Sequence, residues 1–238
     1  MSENLFYLLT VLPALPANAG DPVQADDALA RIREESDSRL LYLADLLEVE
    51  SEIERCGLQF FVMGGRDFQP RLSERLPESF VETFMSFQNS READWLTSVY
   101  ASWFDLMIDT GRRTGSKLLC HWACWEYSLR TILRLERMKA AGRSGADLDN
   151  ALPVFMKDFS EYPDHALLVE SWKSFSEPLK AEKFLDQARI EYLRKAATQF
   201  SFTLDELIAY MLELRIHNRY ARLNPDRGRK ILEEVTTL

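Results

Sequence analysis

Cysteine, histidine and glycine are all scarce in this sequence: three, three and nine among 238 residues. Three cysteines are an odd number and too few for a disulfide framework, which points to a reducing compartment. A structural zinc site needs about four convergent thiolates or imidazoles, normally from two separated elements. Outside residues 120–126 the chain offers only Cys56, His165 and His217, scattered singly. No glycine-rich phosphate cradle is written either. GxxxxGK[ST] and GxGxxG are absent, Gly115-Ser116-Lys117 being only a fragment of the former, and GxSxG and HExxH do not occur. Basic charge is in deficit, 29 Lys/Arg against 38 Asp/Glu for a net −9. That balance argues against a general nucleic-acid binder and against direct binding to anionic membranes. Long apolar runs are missing too. The best candidate, Leu5–Leu12 (LFYLLTVL), has only Glu3 as a charge before it and is stopped by Pro13. It is too short to span a bilayer and wrongly flanked for a signal peptide, and it reads as a buried strand or extended segment.

What is present is ordinary globular composition, 46% hydrophobic and 28% charged, in a chain long enough to bury a core without staples. The acidity sits in residues 1–176, because residues 177–238 carry eleven Lys/Arg against ten Asp/Glu. Helical signals dominate. A short helix is expected at 24–35 after Asp21-Pro22, and a longer one from Asp37 to Cys56, where Leu40, Leu43, Ala44, Leu47 and Ile53 recur at helical spacing. Gly57, Gly64, Gly65 and Pro70 bracket an irregular stretch holding Phe60–Met63, expected as a loop or short strand. Pro77 suits the first turn of a helix to Gln88, and Ser90 caps one to Asp109, broken by Gly111 and Gly115. Ser116 opens a helix to Ala141, stopped by Gly142.

Residues 142–153 (GRSGADLDNALP) form the best linker, dividing a helical lobe at 1–145 from a second at 146–238 packed on it, or lying within one continuous domain. Beyond it, 165–175 and 178–197 are helical by pattern. Thr203-Leu-Asp-Glu206 is a capping box opening a helix to Leu223, and Asn224-Pro225 caps a last one at 225–235. The fold class is all-α, a multi-helix bundle with a short N-terminal extended segment or strand.

CHWACWE, residues 120–126, holds two thiols, an imidazole and a carboxylate. Cys120 and Cys124 share a helix face while His121 is rotated about 100° from Cys120. With Leu118, Leu119, Trp122, Trp125 and Leu129 around them, the cysteines read as part of a buried helix face rather than as metal or redox chemistry. The pairs Glu213/His217 and Glu161/His165 are ExxxH, without the Glu-x-x-His spacing of di-iron bundles. No nucleophile, base and orienter assemble, so neither an enzyme nor a cofactor or metal is expected. Arg215, Arg219 and Arg222 form one stripe at i, i+4 and i+7, followed by Arg227, Arg229 and Lys230. The stripe reads as a solvated face paired with nearby acids or as a contact site for an acidic protein partner, a nucleic-acid contact being disfavoured by the acidic remainder and the lack of interleaved exposed aromatics.

Two stretches carry a resemblance. Trp125-Glu126-Tyr127-Ser128-Leu129-Arg130-Thr131-Ile132-Leu133-Arg134, followed by Gly142, resembles the W/Y-[DE]-x-x-N-L-[RK]-x-[IL]-[IL]-R … G helix of the C/d component of archaeal- and vacuolar-type ATPases, which sits between the rotor shaft and the membrane ring. Ser128 stands where that pattern prefers Asn. EPLKAEKFLDQARIEYLRKAATQFSFTLDELIAYMLELRIHNRYARL, residues 177–223, is similar to a later pair of helices in that family ending in a basic R-x-x-x-R pattern. The layout from FYLLTVLPALP to RYARLNPDRGRKILEEV also resembles a shorter bacterial family that accompanies V-type ATPase components and has no assigned activity.

The resemblance implies a non-catalytic α-helical component of a V/A-type rotary ATPase, similar to the C/d component, connecting or assembling soluble and membrane sectors. Its partners would be other ATPase subunits of the central stalk or membrane ring, and its location cytoplasmic and peripheral to the membrane through them. It places partner contacts at Glu126, Arg130 and Arg134 and at Arg215, Arg219 and Arg222. The rival expectation is a free-standing helical adaptor that binds an acidic partner through residues 215–230.

Overall fold

In a computed structural model of the chain, residues 3–19, 21, 23, 25–63, 69–88, 92–142 and 165–222 are described. They form α1 (Glu3–Val11), α2 (Ala25–Glu35), α3 (Ser38–Met63), α4 (Glu78–Met85) with a 3₁₀ turn at Ser86–Gln88, α5 (Glu92–Thr114) and α6 (Lys117–Ala140). Three more follow, α7 (Ala166–Lys173), α8 (Pro178–Ala196) and α9 (Leu204–Arg222). The protein is all-α, with no strand among the described residues.

Local signals account for most boundaries. Asp37 accepts from the amides of Arg39 and Leu40 at 3.0 and 2.9 Å and so caps α3. Gly115 turns the chain out of α5 at φ +75°, and Ser116 caps α6 by accepting from Leu119 N at 3.1 Å. Gly142, at φ +70°, closes α6. At the start of α9, Thr203 accepts from Glu206 N at 3.3 Å. Glu206 reaches back past the cap residue to the amides of Phe202 and Phe200, at 2.6 and 2.7 Å. The box therefore clamps a turn in which both phenylalanines lie in the left-handed region, at φ 50° and 59°.

Three expectations are corrected. Residues 5–11 are helical rather than a strand: Leu5 and Leu8 are buried while Phe6 and Tyr7 are exposed, so the run follows helical spacing and not alternation. A segment without regular secondary structure comes after it. Pro13 accepts from the Tyr210 hydroxyl at 2.9 Å and Pro16 from Arg194 at 2.5 Å, laying this segment across α8 and α9. Residues 57–63 continue α3 instead of forming a loop. A Cβ on Gly57 would come within 3.3 Å of Leu96, so the glycine serves close approach to α5, and Phe60 packs edge-on to Trp95. Gly111 likewise lies inside α5, where a Cβ would meet Cys120 Sγ at 2.6 Å. Both glycines are spacers between helices, not breaks. The linker from 143 onward, Glu161, the cap at Ser90 and the helix expected at 225–235 lie outside the described residues.

One buried cluster runs through Leu8 of α1, Leu43 of α3, Trp103 of α5, Trp122 of α6, Ile190 of α8 and Leu212 of α9, so both halves of the chain feed the same core. Indole hydrogen bonds fix its register. Trp103 Nε1 donates to Leu46 O at 2.8 Å, joining α5 to α3, and Trp95 Nε1 donates to Phe84 O at 2.7 Å. Ser116 donates to Asp205 at 2.5 Å, tying the start of α6 to the start of α9.

Candidate functional site: a chain of buried ion pairs

Glu50 occupies a core register position of α3, in step with Leu43, Leu47 and Ile53, and Glu126 does the same in α6 between Trp122 and Leu129. Carboxylates at such positions must be paired or neutral. Here they are paired. Arg215 of α9 and Arg130 of α6 both engage Glu50, which is 5% exposed. Arg130 Nε also donates to Glu126 at 2.6 Å. Arg189 of α8 forks onto Glu126 at 2.8 and 2.9 Å and donates to Asp186 at 2.7 Å. Asp186 in turn meets Arg219, which lies 3.4 Å from Glu182, itself 3.4 Å from Arg137.

The charges alternate along one connected path, Arg215–Glu50–Arg130–Glu126–Arg189–Asp186–Arg219–Glu182–Arg137, from the interior to the surface. It ties α3, α6, α8 and α9 together. The guanidinium of Arg130 lies over the Tyr100 ring at 4.8 Å and that of Arg215 over Trp103 at 5.6 Å, adding cation–π contacts. Glu126 and Asp186 hold Arg189 above the ordinary arginine range against the opposing effect of burial. A cavity of about 50 Å³ lies among Glu50, Glu126, Arg130, Arg189 and Arg215, room for a water molecule or two.

Of the six residues expected at a partner contact, the structure brings four into this network: Glu126, Arg130, Arg215 and Arg219. The stripe of Arg215 and Arg219 therefore turns inward onto acids of other helices rather than forming a solvated face. Arg134 is exposed on α6 and donates to Thr97 Oγ1 at 3.3 Å. Arg222 ends α9, and its side chain lies outside the described residues, as do Arg227, Arg229 and Lys230. Motif and spacing do not single out Glu50, Asp186 or Arg189. The signal that could find part of the network is an acid seated in the apolar register of a helix, at Glu50 and Glu126 alike.

The CHWACWE stretch is a buried helix face, as its pattern implies. Trp122 stacks on Trp125, with ring centroids 5.5 Å apart, and Trp125 stacks on Tyr192 at 4.7 Å. Burial pushes the Cys124 thiol up to about 12 and raises Cys120 as well. Cys120 donates to Ile108 O at 3.5 Å, and His121 is exposed. His165 is buried against Trp125 and shares a 2.7 Å hydrogen bond with Ser128. His217 Nε2 lies 3.6 Å from Glu213, whose carboxylate is also held by Arg194. Among the described residues no group of three His, Cys, Asp or Glu is placed to hold a metal ion, and no helix is long and apolar enough to cross a membrane.

No curated protein and no solved structure matches the chain. Residues 167–238, which supply the Asp186, Arg189, Arg215 and Arg219 part of the network, are similar to a family described as "Protein of unknown function (DUF2764)".

Proposed function

We propose that the chain is a non-catalytic helical component or accessory of a V/A-type rotary ATPase, similar to the C/d component, connecting or assembling soluble and membrane sectors by protein–protein contact. The observation that carries this is the part played by the helix bearing the resemblance, 125–134. Its Glu126 and Arg130 lock it to α3 and α8, while Arg134 on the same helix remains exposed. Such a helix is a packing and display element. The carboxylates of the network are each engaged by arginine, which leaves none of them as a ready general base.

The test is co-purification from the native host in mild detergent, with a tag on Leu238 and mass spectrometry of the recovered proteins. Rotary-ATPase subunits at near-stoichiometric levels are expected. Their absence, with one acidic protein recovered instead, would replace this proposal with a free-standing adaptor.

A further inference from the structure

A groove of about 280 Å³ opens beside the outer end of the ion-pair chain. Helix α6 lines it chiefly with Tyr127, Arg130, Arg134 and Arg137, spaced three or four residues apart and so on one face, together with Thr131 and Leu133. Leu96 and Tyr100 of α5, both half-buried, add apolar surface. Among the described residues, five arginines and two glutamates line the groove, in a protein of net charge −9. Arg134 is the telling member. It is exposed, its hydrogen bond goes to the neutral Thr97 hydroxyl, and it meets no carboxylate among the described residues. Arg137 is exposed as well and is held by Glu182 at 3.4 Å.

We propose that this groove receives a short acidic segment of a protein partner, with an aromatic or aliphatic side chain seated against Leu96 and Tyr100 and carboxylates on Arg134 and Arg137. Three features select that occupant. Planar guanidinium forks suit carboxylates, and two of them stand one helical turn apart on the rim. The same groove offers the apolar and aromatic surface of Leu96 and Tyr100, of the kind that anchors a partner side chain. The described liners are side chains from helix interiors, whose amides are spent in the helices, so among the described residues no backbone N–H cradle of the kind that favours a bound phosphate lines the groove. The inference does not depend on the rotary-ATPase proposal, because it specifies the chemistry of the bound segment and not the protein that carries it.

Fluorescence polarisation of a fluorescein-labelled peptide, a central phenylalanine flanked by glutamates, tests this on the full chain. Saturable binding is expected, weakened at least tenfold by Arg134→Glu and by replacing the glutamates with glutamine. It should also weaken when ionic strength rises from about 50 to about 300 mM. Arg134 is exposed, so its reversal should leave circular dichroism and thermal midpoint unchanged, and Arg137→Glu provides a second variant. Glu182→Gln, which releases Arg137, should tighten binding.

Binding equally strong for the glutamine peptide, binding unaffected by both arginine variants, or no binding up to about 1 mM peptide would each overturn the proposal. Displacement of the peptide by pyrophosphate at lower concentration than by unlabelled peptide would reassign the groove to a small phosphate anion. A dimer in sedimentation velocity that Arg134→Glu disperses would reassign it to a second copy of the chain.

Discussion

Glu126→Gln is the sharpest probe of the buried ion-pair chain. The carboxylate is 1% exposed and accepts three charge-assisted hydrogen bonds, two from Arg189 and one from Arg130. Removing one partner of a buried pair typically costs about 3–5 kcal/mol, because the opposite charge stays buried without compensation. Here Arg189 keeps Asp186 and Arg130 keeps Glu50, and glutamine retains one acceptor oxygen, so the lower end applies, about 3 kcal/mol. Arg189→Met should cost a similar amount. The double variant should cost clearly less than the two together, since neither charge is then left to face the other's absence. Urea unfolding followed by far-ultraviolet circular dichroism gives these values, provided the slope is the same for all four proteins. Salt near 1 M should change them little, because buried pairs are weakly screened. A loss below about 1 kcal/mol for Glu126→Gln, or strict additivity in the double variant, would show that the network does not hold the helices together.

Other perturbations read the remaining contacts. Gly111→Ala should destabilise by about 1–3 kcal/mol in chemical denaturation by forcing α5 from α6. Cys120→Ala should restore only part of this, since the new Cβ would still sit 3.0 Å from Ser116 O and 3.1 Å from Cys120 N. Trp125→Ala should cost about 3–5 kcal/mol, and an unchanged thermal midpoint would remove Trp125 from the core. Burial pushes the Cys56 and Cys124 thiols up to about 12. At about pH 8 iodoacetamide should therefore label them only after unfolding, and rapid labelling of both in the native protein would contradict their burial. Burial alone would raise the Glu52 carboxyl, but hydrogen bonds from Arg55 and the Arg71 amide outweigh it and leave it below its ordinary 4.5. Its contribution is thus complete above pH 4.5 and is lost as pH falls through the lowered value, so Glu52→Gln should destabilise at neutral pH and converge on wild type in acid.

The elements legible in the sequence are those written in local chemistry. Ser116 and Thr203 announce helix starts because their hydroxyls need only an amide three residues on. Pro178 fits the first turn of α8 whatever surrounds it. Gly111 and Gly57 mislead because glycine has two uses in a helical context. Which one applies depends on whether another helix lies against it, at Cys120 or at Leu96. The N-terminal run misleads because seven apolar residues in eight show no clear period. Only the partners of Leu5 and Leu8 settle which face is inward.

The network is half legible. Arg130 and Glu126 are visible as an i, i+4 pair, but Glu50 lies 80 positions away from Arg130, and nothing in the chain between them signals the meeting.

That non-local pairing also bears on why charge is buried here at all. Replacing buried ion pairs by well-packed apolar side chains is often neutral or stabilising by about 1–4 kcal/mol, so stability alone does not explain the arrangement. Apolar stripes on neighbouring helices tolerate small rotations and slides, since one aliphatic contact is much like the next. A guanidinium fork on a carboxylate does not, because both hydrogen bonds of Arg189 to Glu126 are made in one orientation of α8 against α6. Arg130 and Arg215 impose the same condition on α6 and α9 through Glu50. The helix so oriented is the one that carries Arg134 and Arg137 to the surface, one and two turns beyond Arg130. The buried charges thus fix where the exposed ones point, and a helix whose exposed arginines are to meet a partner's carboxylates needs that orientation before the partner arrives.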